Sequence, residues 1–345
     1  MNKGCQLPGF VDIHIHGCGG YDVGTCGAEG LREIGKILIQ HGVVGYLPTI
    51  PACSPEQCLT ALHAIAQVME EDEAYAVHIS EEAKKQPDGR VPLNHTRILG
   101  AHLEGPFMKP QYKGALDADC FLDATLENWQ AITGEFAHIV KRITIDPLAE
   151  GAMEMISYLS QQGITVSLGH TAADAGVIQA GLAAGASSVT HIYNAMPSLH
   201  HRNPGPVGAA LADDACCAEM ILDFLHVAPE AAKLVLKAKG SKQVGIITDA
   251  CNAAGMPDGI YTLCGRNVHV INGEARMPEG QLASSTVFMD RELKNLLTLG
   301  FSLETAADVL SRTPAKMAGV AQQVANDVIL LDENYDVTGA YRQVL

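Results

Sequence analysis

Apolar and polar positions alternate along the chain in blocks that predict parallel strands separated by helices. Short runs rich in Val, Ile and Leu, without strict polar alternation, are typical of parallel strands covered on both faces. Eight such strands are predicted, at residues 9–16, 43–50, 97–104, 139–146, 164–170, 187–193, 218–226 and 244–249. Helical patterns follow most of them, at residues 29–40, 55–70, 148–162, 172–184, 229–239 and 285–298.

Eight strand-then-helix units predict an α/β fold in which the strands close into a (β/α)₈ barrel, as in the TIM barrel. A doubly wound open sheet is the alternative. Its phosphate-binding signature, G-x-G-x-x-G, is absent after the first strand, and this favours the barrel.

Two segments do not follow the alternation. Residues 74–96 are polar and contain Gln86-Pro87-Asp88-Gly89, so an extended loop is predicted there. Residues 261–278 carry β-like runs around Asn272-Gly273, which predicts a hairpin between the eighth strand and its helix.

Charge and cysteine content narrow the function classes. The 345-residue chain has 39 acidic and 23 basic residues, and its net charge of −16 argues against binding nucleic acid or an anionic membrane surface. An anionic substrate must then be met by a few local cations. The ten cysteines form no C-x-x-C pair, and the first residues lack an apolar signal region, so we expect reduced thiols in a cytoplasmic protein.

The informative feature is the type of residue at the strand ends. His14 and His16 lie two apart on the first strand, so both imidazoles point to the same side. Five further strands end in a polar residue that can bind metal or move a proton: Glu104, His170, His191, His226 and Asp249. Barrel enzymes build their sites at these carboxyl ends, which favours a shared site over unrelated structural histidines.

Imidazole and carboxylate ligands together suit Zn²⁺, Fe²⁺, Mn²⁺ or Co²⁺. One or two such ions would acidify a bound water, and a carboxylate such as Asp249 would take its proton and pass it to a leaving nitrogen. A carboxylated lysine bridging two metals would need Lys at the end of the fourth strand, but Lys141 lies near its start and Glu104 can bridge instead. No G-x-S-x-G nucleophile elbow is present.

These residues stand in motifs that resemble a known family. The motifs are His102-Leu103-Glu104-Gly105-Pro106-Phe107, Ser167-Leu168-Gly169-His170-Thr171, Thr190-His191-Ile192-Tyr193-Asn194-Ala195-Met196-Pro197, Thr248-Asp249-Ala250 and Gly255-Met256-Pro257-Asp258-Gly259. In their order and number they resemble the N-acetylglucosamine-6-phosphate deacetylases of the amidohydrolase superfamily. The resemblance runs from Pro8 to about Lys316.

The resemblance implies a role for each matching residue. Glu104, His170 and His191 match the core metal ligands, and His14 with His16 match a pair that adds a second ion in some relatives. Asp249 matches the general acid/base, and His226 matches the residue that polarises the acetyl carbonyl. The positions matched to substrate binding are Asn194, Ala195, His201, Arg202 and His226.

Arg202 follows two histidines in a local cationic cluster, and guanidinium binds phosphate in a bidentate fork. In relatives the matching arginine reaches across a dimer interface, so the resemblance implies a homodimer acting on a small amino-sugar phosphate. A solvated loop is the alternative for this cluster.

The chain also departs from the family. Relatives carry about 50 residues before the barrel, which join a C-terminal segment in a small β-domain, whereas eight residues precede the first strand here. We therefore expect a barrel at 8–320 and a C-terminal hairpin tail at 321–345, a truncated remnant of that domain. Because the chain offers no strands to pair with the tail, docking on the barrel is expected over pairing with residues 1–7, a partner chain or mobility. Leu116 stands where many relatives have a polar residue.

The leading hypothesis is hydrolysis of the acetamide of N-acetyl-D-glucosamine 6-phosphate, yielding D-glucosamine 6-phosphate and acetate in amino-sugar catabolism. The alternatives are a hydrolase for the galactosamine epimer and a non-catalytic paralogue that binds sugar phosphate. The complete ligand set and Asp249 argue against the paralogue.

Overall fold

The core of the protein is a barrel of parallel strands, seen in a computed structural model that describes residues 4–263 and 265–344. Every neighbouring pair in this sheet is parallel, and the side chains of the strands are almost all buried. The strands are Phe10–Ile15, Val43–Pro51, Arg97–Ile98 continued by Ala101–Glu104, Val140–Ile145, Thr165–Leu168, Ser188–Val189, Cys217–Met220 and Val244–Ile246. The predicted barrel of eight strands is confirmed.

Hydrogen bonds between the segments after the first and last strands close the barrel at its carboxyl end. The backbone N–H of Asp249 donates to His14 O at 2.9 Å, and His16 N–H donates to Ala250 O at 2.8 Å. Next to these bonds, the hydroxyl of Thr248 donates a hydrogen bond to the buried carboxylate of Asp12 at 2.5 Å. The seam of the barrel therefore runs directly beside two of the predicted metal-binding histidines.

Helices cover the outer face of the strands. The eight longer ones are Gly27–Leu38, Pro55–Lys85, Leu126–Thr133, Ala152–Gln161, Ala175–Ala184, Gly205–Ala212, Pro229–Lys239 and Met289–Thr298. Short ones at Leu303–Ala307, Thr313–Met317 and Ala321–Val324 follow, the first two joined by a π-helical turn at Asp308–Arg312. Single 3₁₀ turns occur at Ile39–His41, Pro110–Tyr112, Ala118–Cys120, Gly134–Ile139 and Ser241–Gln243. The predicted helix positions are confirmed apart from their ends.

The loop predicted at residues 74–96 is wrong, because the second helix runs on to Lys85. Its N-terminus is fixed by a capping box between Ser54 and Gln57, and its polar second half keeps a buried face that includes Ile79 and Ala83. Ala, Glu and Lys, which dominate this half, are strong helix formers. The polar residues of this segment therefore reflect the exposed face of a helix and not a loop.

A second, smaller sheet lies at the ends of the chain. The predicted tail hairpin forms from Asp327–Leu331 and Val337–Gln343, with Cys5–Pro8 antiparallel to one edge and Arg90–Pro92 antiparallel to the other. The expectation that the chain has no strands to pair with the tail is wrong, since two short segments supply both neighbours. The division of the chain at residue 320 stays a prediction.

The hairpin predicted within 261–278 is confirmed, as part of a four-stranded antiparallel sheet. Its strands are Gly259–Leu263, Arg266–Ile271, Glu274–Arg276 and Leu282–Ser284. A further small hairpin follows the first barrel strand, from Gly17–Cys18 and Tyr21–Asp22. Among the described residues, no helix combines the length and apolarity needed to cross a membrane.

Candidate metal and substrate site

The carboxyl ends of the strands bring together the residues that the sequence singled out. They form two groups of three, in each of which the ligand atoms lie within 4.8 Å of one another. One group is Glu104, His170 and His191, and the other is His14, His16 and Asp249. All six side chains are buried. This end of the barrel therefore carries two neighbouring groups of side chains, each with the residue types that a divalent cation takes as ligands.

Glu104 stands between the two groups. Its Oε1 lies 3.1 Å from His170 Nε2, 3.2 Å from His191 Nε2 and 3.3 Å from His14 Nε2. Its Oε2 lies 3.3 Å from His16 Nε2. This arrangement allows a single carboxylate to contact ions in both positions.

The protein atoms alone do not satisfy this centre. His170 Nε2 and His191 Nε2 approach each other to 3.1 Å while both face the same carboxylate oxygen. The buried Nε2 of His14 has no hydrogen-bond partner among the described residues. Nitrogen lone pairs that converge in this way fit a divalent cation with imidazole and carboxylate ligands.

Strained backbone accompanies the same residues. Three of the six ligands have positive φ angles, at 49° for His170, 29° for His191 and 47° for Asp249. Residues with a Cβ rarely occupy this left-handed region, and such strain clusters at functional sites. The loop after the sixth strand adds Tyr193 at 79° and Ala195 at 51°.

The outer nitrogens of three of the four histidines are held by specific partners, whereas Nδ1 of His191 has no partner among the described residues. His16 Nδ1 faces the carbonyl oxygen of Thr49 at 3.1 Å, and His170 Nδ1 faces that of Tyr112 at 3.0 Å. His14 Nδ1 lies 3.3 Å from a carboxylate oxygen of Glu219. In each case an acceptor at Nδ1 leaves the Nε2 lone pair directed at the centre.

Charge interactions outweigh burial at the two carboxylates. Burial by itself would raise the pKa of Asp249, but the adjacent imidazoles of His14 and His16 lower it below the usual value. The same opposition lowers the pKa of Glu104, whose carboxylate all four imidazoles contact. Both groups are therefore anionic at neutral pH, the form that binds a cation.

A cavity of about 450 Å³ opens onto the centre. Its lining includes residues of both metal groups, His226, Asn194 and Ala195, together with Lys113 and an apolar wall that contains Leu116. His226 is held by Asp223, whose Oδ2 lies 2.7 Å from Nδ1. Burial by itself would raise the pKa of Asp223, but the interaction with His226 lowers it.

Two predicted substrate residues stay apart from this cavity within one chain. The described residues that line it do not include His201 or Arg202, which are exposed and contact each other, with Arg202 Nη1 2.9 Å from His201 Nε2. Four residues near the centre were missed from the sequence: Lys113 and Gln281 in the cavity lining, and Arg142 and Glu219 beneath the metal groups. A charged residue inside an apolar strand is the signal that would have found the last two.

Known proteins resemble this chain in sequence and in structure. No model of a protein family matches the chain. It is 36% identical to an N-acetylglucosamine-6-phosphate deacetylase of Lysinibacillus sphaericus, over 84% of this chain and 70% of that protein. It is 34% identical to an N-acetylgalactosamine-6-phosphate deacetylase of Escherichia coli O157:H7, over 91% of this chain and 78% of that protein.

Solved structures agree with these sequences. The N-acetylglucosamine-6-phosphate deacetylase of Thermotoga maritima superposes with a TM-score of 0.81 at 30% identity, covering 97% of this chain and 86% of that one. A variant of the Mycobacterium smegmatis enzyme with one aspartate replaced by alanine, in complex with N-acetyl-D-glucosamine-6-phosphate, gives 0.85 at 26% identity, covering 98% and 86%. The chain belongs to the N-acetylglucosamine-6-phosphate deacetylase family of the amidohydrolase superfamily.

Proposed function

We propose that this chain hydrolyses the acetamide of N-acetyl-D-glucosamine 6-phosphate, releasing acetate and D-glucosamine 6-phosphate in amino-sugar catabolism. The observation that carries the proposal is the pair of facing ligand groups at one end of a cavity large enough for a sugar phosphate. The Mycobacterium smegmatis relative, crystallised with N-acetyl-D-glucosamine-6-phosphate, supports the choice of substrate.

Two divalent ions, of Zn, Fe, Mn or Co, would be held by the two groups, with Glu104 contacting both. When bound, such ions acidify water toward neutral pH and polarise the carbonyl that is attacked. The histidines would hold the ions through their Nε2 atoms; they are His14, His16, His170 and His191. The identity of the native ion follows from elemental analysis of protein purified without added metal.

Asp249 is placed to move the proton. It accepts a proton from the attacking water and delivers it to the nitrogen of the sugar as the C–N bond breaks, which yields the amine and acetate. The Ser284 hydroxyl, which donates to the backbone carbonyl of Asp249, holds this strained segment in place. His226, fixed by Asp223 on its Nδ1 side, presents the other side of its ring to the cavity and to the acetyl oxygen.

The phosphate is met by the backbone of Asn194 and Ala195 and by cations. Lys113 lines the cavity, but Arg202 and His201 of the same chain do not. We therefore propose that the partner subunit's Arg202 binds the phosphate. In such a homodimer, each of the two sites is completed by the loop that carries Arg202 in the other subunit. The exposed position of Arg202 beside Leu199, which is 49% exposed, supports this arrangement.

We infer a cytoplasmic location and a small-molecule partner from the cysteines and the net charge. The nine described cysteines are all free thiols, which supports a reducing cytoplasm. The acidic net charge supports a small-molecule substrate over nucleic acid or an anionic membrane surface.

An acetate-release assay on metal-reconstituted protein tests the function. The panel contains the 6-phosphates of N-acetylglucosamine and N-acetylgalactosamine and both unphosphorylated sugars. We expect the glucosamine phosphate to give the highest kcat/KM. Preference for the galactosamine epimer would move the assignment toward the Escherichia coli relative, and no release above that of an Asp249→Asn control from any sugar would overturn the proposal.

Arg202→Ala tests the shared phosphate site. Loss of a charge-assisted contact to phosphate costs about 2–5 kcal/mol in transition-state binding, so phosphorylated sugars should be weakened selectively. Mixing Arg202→Ala chains with chains inactivated by Asp249→Asn should restore part of the activity, since one site per mixed dimer regains both residues. Arg291→Ala, at an exposed arginine of the Met289–Thr298 helix, serves as the control and should leave phosphate selectivity unchanged.

A further inference from the structure

Glu219 is a fully buried carboxylate inside the barrel, on the strand Cys217–Met220. Its Oε2 lies 3.3 Å from Nδ1 of His14, and its Oε1 lies 2.6 Å from Nη2 of Arg142. Arg142 is itself completely buried, on the strand Val140–Ile145. A line of three side chains, the barrel cluster, thus runs from Arg142 through Glu219 to His14, beneath the metal groups.

Burying a carboxylate and a guanidinium is costly unless they are paired. Arg142 pairs with Glu219 by contact, while its Nη2 donates a hydrogen bond to Ser188 at 2.8 Å, and its Nε and Nη1 find no partner among the described residues. This geometry is poor for a pair whose only task is stability. A hydrophobic pair of similar volume would fill the same space at less cost.

The contact with His14 explains why a carboxylate is buried at position 219. His16 and His170 use neutral backbone carbonyls as Nδ1 acceptors, whereas His14 alone among these three has a carboxylate. A carboxylate at Nδ1 fixes the tautomer whose Nε2 lone pair is free, and it makes the ring a more basic ligand. The free Nε2 of His14 points between Glu104 at 3.3 Å and Asp249 at 3.7 Å.

We propose that Glu219 is a positioning residue that holds His14 as a ligand for the second ion, with Arg142 fixing the direction of the Glu219 carboxylate. The proposal rests on the proposed function only in requiring that divalent ions bind at the two groups. In this proposal the barrel cluster orients His14 for the second ion position, to which His16 and Asp249 also belong.

Glu219→Gln tests this role with almost no change in volume. Arg142 attracts the amide oxygen of the new side chain, so its NH₂ group turns toward His14. His14 must then accept at Nδ1 and carry its proton on Nε2, where it blocks the ion. Titration of metal-free protein with Zn²⁺ should show one site weakened about 10–100-fold and the other unchanged, a size typical of lost outer-sphere partners.

Glu292→Gln is the matched control, because Glu292 is also a fully buried glutamate but accepts from the backbone N–H of Leu222, at 2.9 Å, rather than from a ligand. Its Zn²⁺ isotherm should equal that of the unsubstituted chain. In the background His14→Asn, adding Glu219→Gln should have no further effect on the isotherm, since Glu219 acts through His14. Two unchanged affinities in folded Glu219→Gln protein would overturn the proposal.

A measurement on the unsubstituted protein applies even where Glu219→Gln does not fold. Nitrogen-15 spectra of the histidine rings, with His14 assigned from the His14→Asn variant, should show His14 protonated at Nδ1 in the Zn²⁺-loaded protein. A proton on Nε2 would overturn the proposal. Protein that binds no divalent ion would instead contradict the proposed function, so the two failures are distinguishable.

Discussion

Two buried ionic clusters in this protein differ in how completely they are satisfied. The tail cluster joins Asp327 to Arg342 through two contacts and to Arg97 at 2.7 Å, where the small sheet meets the barrel. Arg97 also donates to the carbonyl of Gln323 at 2.6 Å, and Arg342 to Ser80 at 2.9 Å. In the barrel cluster, by contrast, two nitrogens of Arg142, Oε1 of Glu219 and the inner nitrogen of His14 have no hydrogen-bond partner among the described residues, whereas the tail cluster leaves one such atom there, Nε of Arg97.

The difference separates a structural cluster from a functional one. Both oxygens of Asp327 are used, so the carboxylate of the tail cluster needs nothing from outside. The barrel cluster ends at an open lone pair on His14, which we propose as a ligand for a divalent cation. We conclude that incomplete satisfaction of a buried ionic cluster, more than its burial, marks it as part of a site.

The largest effect is expected on kcat, from a substitution at Asp249, which lies beside His14 of the barrel cluster. Asp249→Asn removes the only proposed proton acceptor, and general acid/base catalysis is worth about 10²–10⁴-fold, so kcat should fall by that factor. The substrate should still bind, as measured by calorimetry with the sugar phosphate. Asp146→Asn, at the end of the fourth strand and outside both metal groups, is the control and should keep most of the activity. A loss below about tenfold in Asp249→Asn would move the acid/base role elsewhere.

A substitution in the tail cluster should lower the stability of the fold and leave kcat unchanged. Asp327→Ala leaves two buried guanidinium groups unpaired, which should lower the free energy of unfolding by about 3–5 kcal/mol. Urea denaturation measures this change, and kcat at a temperature where the variant is folded should match that of the unsubstituted enzyme. Asp336→Ala breaks the partly exposed pair with Lys294 and should cost only about 0–1 kcal/mol. Equal losses in the two variants would remove the distinction between the pairs.

An effect that depends on pH is expected at a third buried carboxylate, Glu292, which has no cationic partner among the described residues. Burial raises its pKa well above the usual value of 4.5, because one oxygen has only the Leu222 amide and the other has no partner in the described part of the chain. The folded protein then holds a proton that the unfolded chain has released, so stability falls as pH rises from 4.5 toward the folded-state pKa. The slope is at most about 1.4 kcal/mol per pH unit.

Glu292→Gln should therefore be more stable than the unsubstituted protein at about pH 8, and the difference should shrink as the pH approaches the usual glutamate pKa of 4.5. Thermal unfolding across this pH range measures the difference. A difference that does not change with pH would contradict the role assigned to this carboxyl group.

The sequence was sufficient for the barrel and for the side chains that its strand ends bring together, because both depend on local pattern. Runs of Val and Ile identified the strands, and polar residues at their ends stood out against an apolar background. Glu219 and Arg142 were missed since each lies within a strand, where only the neighbouring strands show that they pair. The strands Cys5–Pro8 and Arg90–Pro92 were missed for a related reason: they are short, and they form only against the tail.

The closure of the barrel also sets an order for assembling the two ion positions during synthesis. Glu104 ends the third strand, and His170 and His191 follow the fifth and sixth strands. The other group spans the seam, where Asp12 contacts Thr248, 236 positions away along the chain. A nascent chain that has emerged as far as the sixth strand already carries every member of the first group. The second group cannot exist until the last strand reaches the first. We therefore expect the second of the two proposed ion positions to form only when the ring of strands is complete.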